Sequence, residues 1–135
     1  MSTHKPLPKA KRIEIWNKYN HHCAYCGCKL EYKDMQVDHI ESVYTHCDYK
    51  KEKTLSKINE LDNLMPACRQ CNFYKSTFDL EAFRNRLTSI MMKNLQKTFQ
   101  YRLALKYGLI EESNKPVEFY FEKVEKSKKE KDKKI

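Results

Sequence analysis

Two Cys-x-x-Cys pairs, Cys23/Cys26 and Cys68/Cys71, with 41 residues between them, constrain this 135-residue chain more than any other feature. Zinc takes four ligands in a tetrahedron, and a two-residue spacer lets both thiolates of a pair reach one ion. Two such pairs complete the shell, which marks a structural site, because a catalytic zinc keeps a position open. Disulfides, or two separate redox motifs, are the alternative readings. The N-terminal MSTHKPLPKAKR is positively charged with no apolar run behind it, unlike a secretory signal peptide. No stretch approaches the roughly 18 apolar residues of a membrane span. The expected setting is therefore cytoplasmic, where thiols stay reduced and paired cysteines serve as metal ligands. Cys28 and Cys47 fall outside the pairs and read as plain cysteines. His21 and His22 flank the first pair and read as surface or supporting residues.

A structural zinc contributes on the order of 10 kcal/mol to folding. That matters in a chain with 40% hydrophobic residues, whose core alone is marginal. The expected organisation is one domain over 1–122, with a core at about 9–76 and a helical extension over 77–122. Residues 123–135 form a Lys-rich tail.

Within the core, Ile13 and Trp16 predict a helix from Lys9 to Tyr19 opened by Pro8. Leu30–Tyr32 and Met35–Ile40 read as two short strands joined at Lys33-Asp34. Residues 41–58 read as a long polar loop, and Asn59–Leu64 as a helical turn. A helix is expected just after the second cysteine pair. In the extension, Asp79 reads as a helix N-cap, with Phe78 and Phe83 as a hydrophobic staple. Leu80, Phe83, Leu87, Ile90 and Met91 mark that helix's apolar face. Leu95, Phe99, Leu103 and Tyr107 predict another helix, closed by Gly108. Val117, Phe119 and Phe121 alternate as in an edge strand.

The net charge of +9 favours a polyanionic partner, nucleic acid first. The tail holds seven Lys and three acids, so it supplies +4 of that charge. It reads as a solvated, disordered end with phosphate attraction as a secondary role.

Between the cysteine pairs lies Val37-Asp38-His39-Ile40. An Asp-His pair on a strand is ordinarily just a polar pair at a sheet edge. Here Asn63 follows within Leu61-Asp62-Asn63-Leu64, and Asn72 comes directly after Cys71. Lys75 lies three residues further on, on the same side of a helix as Asn72.

The order C-x-x-C, D-H-I, N-L-x-x-x-C-x-x-C-N-x-x-K resembles the HNH endonucleases, the ββα-metal nucleases, in their zinc-bound variant. Asn72 stands where the last histidine of the family name falls, so this is an HNN form. The resemblance covers about residues 23 to 75. It implies an α+β fold, a ββα-metal core clasped on a four-cysteine zinc site with a helical C-terminal extension. A family proline shortly after D-H-I is absent, and Ser42 and Val43 stand there.

The resemblance also implies roles. His39 is the general base that deprotonates the attacking water. Asp38 and Asn72 hold one divalent ion, magnesium or manganese, at the scissile phosphate. Asn63 holds the loop opposite His39 and orients its ring, and Lys75 is a candidate phosphate contact. Histidine titrates near neutrality, as a base at cellular pH must. Oxygen ligands suit a hard ion that stabilises developing negative charge. The zinc, closed by Cys23, Cys26, Cys68 and Cys71, fixes the His39 strand against the Asn72 helix.

The expected reaction is DNA hydrolysis leaving 5′-phosphate and 3′-hydroxyl ends. A non-catalytic zinc module that binds nucleic acid is the leading alternative, and a zinc-stabilised protein-interaction domain is a third reading. No membrane partner is expected. Nothing in the sequence calls for a homodimer, although one site cuts both strands only through two copies or two encounters.

Overall fold

The computed structural model describes residues 7–40 and 61–133. The expected loop over 41–58, with Ser42, Val43 and Cys47, lies outside the described residues. The chain divides into two units, Met1–Asp79 with Phe119–Ile135, and Leu80–Glu118. The extension expected over 77–122 is thus interrupted, because the chain returns to the first unit at Phe119.

In the first unit, α1 spans Lys9–Lys18 and begins after Pro8, whose carbonyl accepts from Arg12 N–H at 3.0 Å. Its fully buried residue is Ile15. Trp16 donates Nε1–H to the Leu30 carbonyl at 2.9 Å and stacks on His21 at 3.5 Å between centroids. Lys18 Nζ donates to the carbonyls of Leu61 at 2.6 Å and Leu64 at 2.9 Å. This ties α1 to the 3-10 turn Leu61–Asn63, which falls inside the expected helical turn.

The sheet differs from the local hairpin that the sequence suggests. Strand β1 is Gln36–His39, and it pairs antiparallel with β2, Leu64–Ala67, from Gln36↔Ala67 to His39↔Leu64. The Leu30–Tyr32 segment is not a strand: Lys29 bridges back to His22, and Tyr32–Asp34 is a 3-10 turn. The Leu64–Ala67 run is buried at all four positions. A strand covered on both faces shows a continuous apolar run without alternation, which hides it from a period-two reading. Pro66 lacks an N–H, but its carbonyl accepts from Ala24 N–H at 2.8 Å. Helix α2, Arg69–Lys75, follows β2 directly and is capped by Cys68, whose sulfur accepts from Cys71 N–H at 3.4 Å.

In the second unit, α3 (Leu80–Asn85) continues through a π-helical segment, Arg86–Met91, into α4 (Met92–Gln96). The helix expected from Leu95 to Tyr107 is broken. Thr98 is extended, and its side chain accepts from Tyr101 N–H at 3.2 Å, capping α5 at Phe99–Lys106. A threonine side chain that bonds nearby backbone competes with helix continuation. Gly108, at φ +68, closes α5 as expected, with Leu109 N–H on the Ala104 carbonyl at 2.9 Å.

The C-terminal residues are neither an edge strand nor a disordered tail over their described part. They form helix α6, Tyr120–Lys133. The first N–H groups of a helix lack partners within it, and the two leading ones here are met from outside the helix. Phe119 N–H bonds the Glu122 carboxylate at 2.8 Å, the return half of a capping box. Tyr120 N–H bonds the Tyr25 carbonyl at 3.0 Å, and Phe121 N–H bonds the Ala24 carbonyl at 2.8 Å. The loop between Cys23 and Cys26 therefore caps α6. Phe119 and Phe121 are buried beside it, and Tyr19 OH donates to Glu125 at 3.2 Å. No helix among the described residues is long and apolar enough to cross a membrane.

Gly27 packs closely against Tyr120 at this junction. It has φ +81, and a Cβ there would lie 2.9 Å from Tyr120 Cδ2. Left-handed backbone at a non-glycine residue costs of order 1–3 kcal/mol. Gly27→Ala is expected to lose at least that much stability in urea unfolding, and an unchanged midpoint would contradict this packing.

Candidate metal centre and active site

The four expected cysteines converge. The sulfurs of Cys23, Cys26, Cys68 and Cys71 all lie within 4.8 Å of one another, and Cys26 Sγ is 3.8 Å from Cys68 Sγ. Four sulfurs at about 2.3 Å from one tetrahedral zinc are about 3.8 Å apart, so the cluster fits one ion. Cys23 is fully buried. Its thiol is pulled down to about 4, first by a hydrogen bond from the Cys71 thiol and then by neighbouring backbone N–H groups, against the effect of burial. A thiolate supported by backbone amides suits a metal ligand, since the ligand must be deprotonated. These four cysteines can hold a metal ion. Cys28 is exposed and is not among them. His21 lies on Trp16, and His22 lies beside Tyr120 at 5.2 Å between centroids.

The loop from Cys23 to Cys26, a knuckle around the first cysteine pair, reaches the Asp-His strand through Tyr25. Successive side chains of a strand point to opposite faces, so Gln36 and Asp38 share one face of β1 while Val37 and His39 share the other. The first face meets α2: Asn72 Nδ2 donates to Gln36 Oε1 at 2.7 Å, and Lys75 Nζ lies 3.0 Å from Asp38 Oδ2. Residues 72 and 75 are one turn apart on α2, which lets both reach the strand. The half-exposed His39 ends β1 opposite Leu64. The next peptide is fixed by Ile40 N–H on the Asn63 carbonyl at 2.9 Å. The strand end carrying His39 is therefore tied to the turn carrying Asn63.

Lys75 is not placed as a phosphate contact. It is fully buried, and its ammonium also donates to the His39 carbonyl at 2.9 Å. The helix side assigned from sequence holds, but that side faces inward.

Tyr25 is a residue that the sequence reading passes over. It sits between Cys23 and Cys26, is buried, and donates its hydroxyl to Asp38 Oδ2. A sequence signal existed, because a buried tyrosine hydroxyl usually finds a polar partner. Burial pushes the Asp38 carboxyl up from its ordinary range, while Lys75, the Tyr25 hydroxyl and His39 pull it back. Burial likewise raises Tyr25, reinforced by Asp38, so its hydroxyl keeps its proton and donates.

Residues 23–78 match the family model for HNH endonuclease. Over 78 residues, 52% of this chain, the sequence is 35% identical to YoqL, an SPbeta prophage-derived protein of Bacillus subtilis (strain 168) named as an HNH endonuclease. The match spans 31% of that relative's length. Among solved structures, the chain is similar to the Type II-C Cas9 enzyme from Actinomyces naeslundii, with a TM-score of 0.47 and 16% identity. That similarity covers 78% of this chain and 11% of that one.

Breaking a buried ion pair by removing one partner typically costs about 3–5 kcal/mol, because the other charge is left unpaired. Lys75→Met should destabilise by that amount in urea unfolding, and Asp38→Asn added to it should recover part of the loss. A single variant within about 0.5 kcal/mol of the parent, the range of a plain surface change, would contradict the buried pair.

Proposed function

We propose that the chain, which carries an HNH endonuclease domain over residues 23–78, is a metal-dependent endonuclease that hydrolyses DNA phosphodiester bonds. The observation that best supports this reading is the joining of β1 to α2. Asn72 reaches Gln36, and Lys75 reaches both Asp38 and the His39 backbone. The Asp-His strand and the helix that leaves the cysteine cluster thus form one layer.

In this reading the cysteine cluster holds a structural zinc, and a reducing, cytoplasmic setting keeps its thiols available. His39 takes the proton from the attacking water. Its position at the half-exposed strand end suits a group that must meet solvent and substrate. Asn63, through its carbonyl, holds the peptide after His39 and so fixes where the imidazole starts. Asp38 and Asn72 supply oxygen donors for magnesium or manganese. Asn72 uses Nδ2 on Gln36, which leaves Oδ1 as the end of its amide for a cation. Asp38 receives both Tyr25 and Lys75 on Oδ2, so both of these donors sit on the same oxygen. When bound, a hard divalent ion neutralises charge developing on the leaving oxygen. Phosphate attraction passes from Lys75 to exposed lysines such as Lys123, Lys126, Lys128, Lys129 and Lys131 on α6.

The test is supercoiled-plasmid cleavage with magnesium, manganese or a chelator that spares the zinc. General base catalysis contributes about 10²–10⁴-fold, so His39→Ala should lose at least that much rate. The variant should keep its fold, its zinc and its DNA affinity. If His39→Ala cuts as fast as the parent, this mechanism fails. If neither protein cuts with any divalent ion, the non-catalytic nucleic-acid-binding zinc module is the better reading.

A further inference from the structure

The Tyr25 hydroxyl and the ring packing around it have a consequence for the ion site. Tyr25 touches three parts of the molecule at once. Its position in the sequence places it between two ligands of the cysteine cluster. Its hydroxyl donates to Asp38 Oδ2, the oxygen that also takes the Lys75 ammonium. Its ring is held edge-on by Phe119 at 5.4 Å and Phe121 at 6.3 Å between centroids, while its carbonyl accepts from Tyr120 N–H. Phe119 and Phe121 stack on each other at 6.2 Å, and Phe121 also meets Tyr19. The ring therefore has little room to rotate.

A carboxylate offers two equivalent oxygens and turns about its last bond unless something holds it. Here two donors converge on one oxygen, and each comes from a different anchor. Lys75 belongs to α2, and Tyr25 belongs to the knuckle. Together they fix the carboxylate plane and direct Oδ1 away from both.

We propose that Tyr25, clasped by Phe119 and Phe121, is a positioning residue for the divalent-ion site: with Lys75 it pins Oδ2 of Asp38 so that Oδ1 alone is presented to the ion. This inference rests on the role given to Asp38 in the proposed function. It makes the start of α6 a working part of the site, although residues 119–121 lie far from the site residues in sequence. Groups that orient a metal ligand typically matter by about 10–100-fold in metal affinity, and a tyrosine serving only as core packing would not.

The experiment uses the full zinc-loaded chain and Mn²⁺ alone as the probe, with free Mn²⁺ read by electron paramagnetic resonance. Tyr25→Phe keeps the ring and deletes the hydroxyl. It should keep its fold and its zinc while losing some urea stability with the hydrogen bond to Asp38, weaken Mn²⁺ binding by about 10-fold or more, and raise the Mn²⁺ concentration for half-maximal cleavage in parallel. Phe121→Leu loosens the clasp but leaves the hydroxyl, and should shift Mn²⁺ affinity in the same direction by less. Asp38→Ala, which should abolish this binding, locates the ion.

Parental Mn²⁺ affinity in Tyr25→Phe, or binding that survives Asp38→Ala, overturns the inference. If the parent still cleaves in that case, the nuclease reading stands without it. If the parent binds Mn²⁺ in a Tyr25-dependent way but cleaves nothing, the positioning role stands and the nuclease reading falls.

Discussion

Convergence of four sulfurs from two distant segments is the constraint on which the rest of the first unit depends. Cys26 and Cys68 are 42 positions apart in sequence and 3.8 Å apart in space. Each half of the cluster leads directly into a piece of the site. Cys68 caps α2, so the residue that belongs to the cluster also sets where the Asn72 helix begins. The loop between Cys23 and Cys26 supplies the carbonyls that receive α6 and the tyrosine that reaches Asp38. A small core gains from a metal what it lacks in buried area, because the binding free energy is available only to the folded chain.

A second, polar constraint lies above the sulfurs. Asp38 and Lys75 are both buried, and a buried charge pair is favourable only when further hydrogen bonds complete it. Tyr25 OH and the His39 carbonyl supply them. Such pairs add little net stability compared with apolar residues, but they admit only one arrangement of the groups involved. In this molecule that arrangement sets the depth of α2 against β1 and the direction of the strand end bearing His39. Cysteine cluster and polar network thus act on the same two elements, one at the start of α2 and the other at its end.

The parts legible in the sequence are those fixed by short-range chemistry. Cys23, Cys26, Cys68 and Cys71 are readable because two-residue spacing is itself a ligand geometry. Helix α1 is legible as a helix, although the residue it buries is Ile15 while Ile13 of the expected spacing is exposed, and Gly108 shows its left-handed closure. The β2 strand escapes a sequence reading because Leu64–Ala67 is covered on both faces and its partner lies beyond a long intervening segment. The C-terminal helix escapes it for a related reason. Its lysines read as a solvated tail, while its start depends on carbonyls of Tyr25 and Ala24, far earlier in the chain. Lys75 falls on the correct side of its helix, but whether that side faces solvent depends on β1. Thr98 is a local signal that the reading passes over, since threonine before Phe99 is an ordinary N-cap. Among the candidate site residues, the structure brings Asp38, Lys75, Asn72 and the His39 backbone into one layer. It joins Asn63 to that layer through the peptide of Ile40.

One metal in the cysteine cluster that holds the Asp38-His39 strand against the Asn72 helix would couple zinc content to the order of both elements. Amide hydrogen exchange across Gln36–Ile40 and Asn72–Ser76, followed together with zinc content as a strong chelator is titrated in, tests it most directly. One zinc per chain is expected, with a joint loss of protection in both segments as that zinc leaves. Metal-free protein that keeps protection in β1 and α2 would contradict it.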